Sequence, residues 1–199
     1  MRAPVAHFPP LRSGTRWLAS RANGARLHAG VDLMAAAGTP VVAPERCKVV
    51  VSLATRTPSQ VTRGIGTRRA WDGYGPGVVI VRGESGWFHL LGHSDASALP
   101  RVGTVFEEGE RVTFVGPLNA PHTHWEVRAQ LRPPSGRATV EVCADPFTWL
   151  AGAPHVWTPA DGGPLRPGVT WRTPAPFRPA GSRRAPLEVV PPLPFDPRA

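Results

Sequence analysis

Short apolar runs cut by glycine and proline run the length of this chain, and none has the spacing of an amphipathic helix of ordinary length. Val78-Val79-Ile80-Val81, Val112-Thr113-Phe114-Val115 and Thr139-Val140-Glu141-Val142 are rich in β-branched residues, which sit easily on a pleated surface. Gly83-Glu84-Ser85-Gly86 and Glu107-Glu108-Gly109-Glu110 between such runs read as turns. The pattern predicts an all-β domain of packed antiparallel sheets. Within it, the continuous run Cys47-Lys48-Val49-Val50-Val51-Ser52-Leu53 predicts a strand buried on both faces.

One of these strands carries chemistry. In Pro121-His122-Thr123-His124-Trp125-Glu126-Val127-Arg128, alternation puts His122 and His124 on the same face. Two imidazoles on one rigid face suit a metal, and a catalytic zinc takes three protein ligands plus water, so further donors are required. His28-Ala29-Gly30-Val31-Asp32 offers an imidazole and a carboxylate four residues apart, both good zinc donors. Gly86-Trp87-Phe88-His89-Leu90-Leu91-Gly92-His93 adds two histidines; on an alternating strand His89, Leu91 and His93 share a face. A lone HxH is more often a surface or core pair than a site. The co-occurrence of three such stretches in one domain carries the inference.

Composition narrows the partners without choosing one. The formal charge of +9, from 23 basic and 14 acidic residues, favours anionic polymers or surfaces, although a solvated basic exterior gives the same figure. No nucleic-acid motif accompanies it, and no nucleic-acid partner is expected. Cys47 and Cys143 are the only cysteines, which excludes a cysteine zinc cluster; both fall in apparent strands, and burial as small apolar residues is expected over a Cys47–Cys143 bridge. No apolar run reaches the ~20 residues of a membrane-spanning helix. The first ten residues, with Pro9-Pro10, do not read as a signal peptide.

The chain divides into three parts: an arm over residues 1–26, a domain over 27–152, and a tail over 153–199. Twelve of the tail's 47 residues are proline, and six arginines stand against three acids, a composition that predicts an extended or disordered segment. Inside the domain, residues 55–77 are polar and glycine-punctuated, with Arg63, Arg68 and Arg69 clustered, and read as a long loop overhanging a cleft.

The three motifs together resemble the lysostaphin/LytM-type zinc metallo-endopeptidases that cut peptidoglycan peptides. The likeness covers roughly residues 27–150 and rests on HxGxD at His28 and Asp32, on Gly-Trp-aromatic followed by Gly-His at His93, and on Pro-His-x-His-aromatic-Glu-Val-Arg at His122 and His124. Thr123 and Ser94 stand where the family commonly has Leu, and the segment Gly116-Pro117-Leu118-Asn119-Ala120 is shorter than usual. The resemblance implies an open substrate groove, the arm of residues 1–26 packed on the core and helping to wall that groove, one zinc held by His28, Asp32 and His124, and His93 and His122 as the catalytic pair, divided between general base and transition-state stabiliser in an order it leaves open. His89, Arg63, Arg68 and Arg69 are candidate substrate contacts. It further implies that the chain acts at the cell wall or periplasm; without a signal peptide, delivery by a phage particle or other machine through the tail is one route. A peptidase-like binding or structural component of a phage tail or wall assembly is the alternative reading.

Overall fold

The computed structural model describes residues 1–21, 26–55, 71, 73–131 and 143–154. The tail beyond residue 154, the arginine cluster at 63–69 and the strand expected at 139–142 lie outside the described residues.

Among the described residues the elements are β1 (Ser20–Arg21), β2 (Arg26–Leu27), β3 (Val31–Met34), β4 (Pro40–Val42), β5 (Cys47–Ala54), β6 (Gly77–Gly83), β7 (Phe88–Ser94), β8 (Val105–Phe106), β9 (Arg111–Phe114), β10 (His122–Arg128), β11 (Cys143–Ala144) and the short helix α1 (Pro146–Leu150). The all-β expectation holds. The main sheet runs β11-β10-β7-β6-β5-β8, with β3 also paired to β10, and every pairing in it is antiparallel. β3 lines the first half of β10 and β11 the second half, while β7 pairs along its other edge. β10 is therefore paired along both edges, with β3 and β11 sharing one of them. The hairpins β1-β2 and β4-β9 form two small separate sheets.

Apolar side chains cover both faces of the main sheet. Val31, Leu33, Val79, Val81, Leu91, Trp125 and Val127 belong to the larger core, which Trp149 of α1 completes. Val51, Leu53, Trp71, Val78, Ile80 and Leu90 form a smaller core on the opposite face. β5 serves both: a bulge between Val49 and Val51 switches its buried residues from the first core to the second. Burial along β5 alternates, with Lys48, Val50, Ser52 and Ala54 only partly covered, so the strand expected to be buried on both faces is buried on one at a time. Cys47 and Cys143 are free thiols, both buried.

Two local features fasten the ends of this body. Asp145 caps α1 by accepting from the Phe147 amide at 2.9 Å, and Pro146, which needs no amide partner there, starts the helix. The first residues of the arm are tied to the body by Arg2 N–H to the Pro44 carbonyl and Val42 N–H to the Pro4 carbonyl, both 2.8 Å, which bury Val5.

Candidate active site

The register between β3 and β10 sets Asp32 directly opposite His124. Gly30 permits that approach, because a Cβ there would stand 2.2 Å from the Trp125 carbonyl oxygen. His28, just before β3, completes a trio. His124 Nδ1 is 2.8 Å from Asp32 Oδ1 and 3.0 Å from His28 Nε2, and the latter is 3.1 Å from the same carboxylate oxygen. All three residues are buried.

The protons in this cluster follow from its neighbours. His28 Nδ1 faces the Arg16 carbonyl at 2.8 Å and must donate to it, which leaves a lone pair on Nε2. His124 lies between two carboxylates, Asp32 at Nδ1 and Glu126 at Nε2. Burial opposes a charge on it, but the bonds and charges of Asp32 and Glu126 prevail and raise it to about 9. Burial likewise works against the Asp32 anion, yet His124 and His28 hold its carboxyl well below the usual range. His28 is lowered by burial, with the charge of His124 adding to it. His28 Nε2, His124 Nδ1 and Asp32 Oδ1 thus converge on one point, each within 3.1 Å of the other two. That mixed N/O donor set, gathered around a single point, fits zinc. The second oxygen of Asp32 is occupied separately by Arg21 Nη2 at 2.5 Å, so only Oδ1 is turned to the trio.

His122 and His93 stand beside this cluster. His122 Nε2 is 3.7 Å from Asp32 Oδ1, and its Nδ1–H donates to the Ala120 carbonyl at 2.7 Å. The His93 ring lies 4.5 Å from that of His122 and 6.3 Å from that of His124, centroid to centroid, with its Nδ1–H on the Gly75 carbonyl at 2.5 Å. In both rings Nε2 is left as the basic nitrogen. Burial pushes His93 down to about 4, outweighing the Gly75 bond, so the ring is neutral at pH 7.

Simple alternation places His93 with His89 and Leu91, and the structure departs from it. Leu91 and His89 do face the larger core, but His93 has φ of 60°, a left-handed conformation rare for a residue with a side chain, which swings its ring to the His124 side. His89 remains behind: fully buried, it bonds Glu45 at 2.9 Å, accepts from Trp125 Nε1 at 3.3 Å and packs edge-on to Trp149. In that position it props the back of β10 and is not open to the groove.

A cavity of about 430 Å³ opens next to the trio, walled by Pro9, Pro10 and Leu11 of the arm on one side and by Asp32, Met34 and His122 on the other. Several residues that touch the site were not singled out from sequence: Arg21, Tyr74, Glu126 and Arg128. Glu126 and Arg128 were accessible by extending the alternation that pairs His122 with His124. Tyr74 and Arg21 carried no signal, since each reaches the site from a loop or a two-residue strand.

Among solved structures, a zinc containing peptidase from Vibrio cholerae is 22% identical, over 66% of this chain and 37% of that one, with a TM-score of 0.48. The catalytic domain of the antimicrobial peptidase lysostaphin from Staphylococcus simulans is 21% identical over 69% and 90%, with a TM-score of 0.49. LytU is 17% identical over 78% and 90%, with a TM-score of 0.47. The chain spans little more than a third of the length of the Vibrio protein. No curated protein matches. Residues 26–135, more than half of the chain and including every motif described above, match the sequence profile of peptidase family M23, and the chain therefore belongs to that family.

Proposed function

We propose that this chain is a zinc-dependent endopeptidase that hydrolyses the peptide cross-links of bacterial peptidoglycan. The observation that carries the reading is the convergence of His28, Asp32 and His124 on one point, with two further imidazoles, His93 and His122, beside it, each tied by Nδ1 to a backbone carbonyl so that Nε2 carries the lone pair. His28, Asp32 and His124 would hold the ion. Zinc bound there supplies Lewis acidity, which activates water and polarises a peptide carbonyl.

The rest of the work falls to the chain's own side chains. With Nδ1–H held on carbonyl oxygens, His93 and His122 each present an acceptor nitrogen, and His93, neutral at pH 7, keeps its Nε2 lone pair free for transient proton transfer. The cavity between the arm and β3 has room for a short extended peptide with small side chains. Wall cross-links, built largely from glycine, alanine and diamino acids, meet that demand. In this reading the protein works at the wall or in the periplasm, residues 153–199 serve docking onto wall or partner, and Arg63, Arg68 and Arg69 pair with the free carboxylates of the wall peptides.

The test is mass spectrometry of purified wall digested with the zinc-loaded chain, with and without chelator. New amine termini inside the peptide cross-links, lost on chelation, are the expected result. Cleavage confined to the glycan, or none with zinc bound, would replace this reading with a binding or structural role.

A further inference from the structure

Behind His124, on the side away from the trio, lies a fully buried carboxylate that the proposed chemistry does not use. Glu126 Oε1 accepts from His124 Nε2–H at 2.8 Å and from the Tyr74 hydroxyl at 2.8 Å, while Oε2 accepts from Arg128 Nε at 2.5 Å. Glu126 and Arg128 are both fully buried. The Tyr74 ring also packs on the His124 ring, with centroids 5.2 Å apart. Gly92, directly opposite His124 on β7, leaves space for that ring: a Cβ there would come 3.1 Å from Tyr74 Cδ1 and 3.3 Å from His124 Cβ.

Burying an ion pair is expensive, and a well-packed apolar pair of similar volume is often as stable or more so. Stability therefore does not explain Glu126 and Arg128, and the geometry does. An imidazole has two nitrogens, and only Nδ1 of His124 faces Asp32 and His28. For Nδ1 to offer a lone pair to a cation, the ring's remaining proton must stay on Nε2. An anionic acceptor 2.8 Å from Nε2 enforces that arrangement, fixes the ring plane and makes Nδ1 a stronger donor. Tyr74 and Arg128 in turn hold the carboxylate still, one on each oxygen, and Arg128 balances its charge.

We propose that Glu126, braced by Tyr74 and neutralised by Arg128, is a positioning residue that sets His124 as an Nδ1 metal donor. The inference rests on the reading of His28, Asp32 and His124 as a metal site.

The experiment measures zinc affinity of the full chain by competition with a chromophoric chelator, together with the visible absorption of the cobalt-loaded protein and the thermal midpoint of the metal-free form. Glu126→Gln is expected to weaken zinc about tenfold, and the paired replacement Glu126→Leu with Arg128→Met, which leaves no buried charge, by about tenfold to a hundredfold. Cobalt bands should shift in both, because the donor strength and angle of one ligand change. A purely structural Glu126 would alter the metal-free midpoint and leave affinity and spectrum of the folded protein as in the wild type. Affinities within twofold of wild type with unchanged cobalt bands would overturn the proposal. Should neither Glu126 variant fold, Tyr74→Phe decides, since it keeps both charges: a severalfold loss with shifted bands supports the inference and wild-type behaviour refutes it. A wild-type chain that binds no zinc would instead bring down the metal-site reading itself.

Discussion

Gly30→Ala is a one-carbon change that tests whether the spacing of β3 and β10 builds the site. The added Cβ would stand 2.2 Å from the Trp125 carbonyl oxygen, 2.7 Å from Glu126 Cγ and 2.9 Å from the Trp125 carbonyl carbon, whereas real Cβ atoms essentially never come within 3.0 Å of such atoms. Two of the three clashing atoms are backbone, so no rotamer relieves them. The strands must separate locally by at least about 0.8 Å, the shortfall between 2.2 and 3.0 Å. Overpacking of this kind typically costs about 1–3 kcal/mol. For a domain of this size that lowers the melting temperature by about 3–9 °C, at about 3 °C per kcal/mol. The effect on the site is the sharper one. His28 and Asp32 flank Gly30 at two residues on either side, and Asp32 sits 2.8 Å from His124 across the same gap. Metal–ligand distances hold to within about 0.2 Å, so a displacement four times larger should cost most of the zinc affinity at a modest loss of stability. Calorimetry of zinc binding and a thermal melt of the metal-free chain read the two effects separately. Wild-type zinc affinity with an unchanged melting temperature would refute the reasoning.

Three further outcomes are expected. His28→Ala, Asp32→Ala and His124→Ala should each lose tight zinc by elemental analysis, whereas His93→Ala and His122→Ala should keep it and lose about a hundredfold or more in turnover; full activity in either of the latter removes that ring from proton transfer. Glu45→Gln should flatten the acid side of the stability profile. Burial raises the Glu45 carboxyl, but the bond from His89 Nε2–H and two bonds from Ser85 outweigh it and hold the group below the ordinary range. Its folded value being depressed, it contributes stability above the unfolded value of about 4.3 that disappears as pH falls through the folded one; urea melts from pH 7 down to pH 3 check this, and parallel profiles for variant and wild type would count against it. Truncation after Pro154 keeps Trp149 in the core and should leave hydrolysis of a small soluble peptide unchanged while weakening retention on purified wall; unchanged retention would remove the docking role from the tail.

Strand periodicity is local and a two-residue repeat reads directly as a face, so the short β-branched runs and their turns were enough to state the β class and to set His122 beside His124; that His28, Asp32 and His124 form one set was implied by the family resemblance of their motifs. The same logic failed at His93, where a single left-handed residue reversed the face, and at β5, where a bulge moved burial from one core to the other. Neither the bulge nor the sign of φ at a histidine is written in residue type; each is settled by what packs on either side. The role of His89 was likewise a tertiary matter: its partners Glu45, Trp125 and Trp149 come from β10 and from segments 40 or more residues away in sequence. So were Arg21 at Asp32 and Tyr74 at Glu126, contacts between groups 11 and 52 residues apart whose meeting depends on how loops close over the sheet. The sequence alone determined which chemical groups were available and on which strands. Only the folded chain decided which nitrogen of each imidazole is tied and which is free, because that depends on the carbonyl or carboxylate at its other edge.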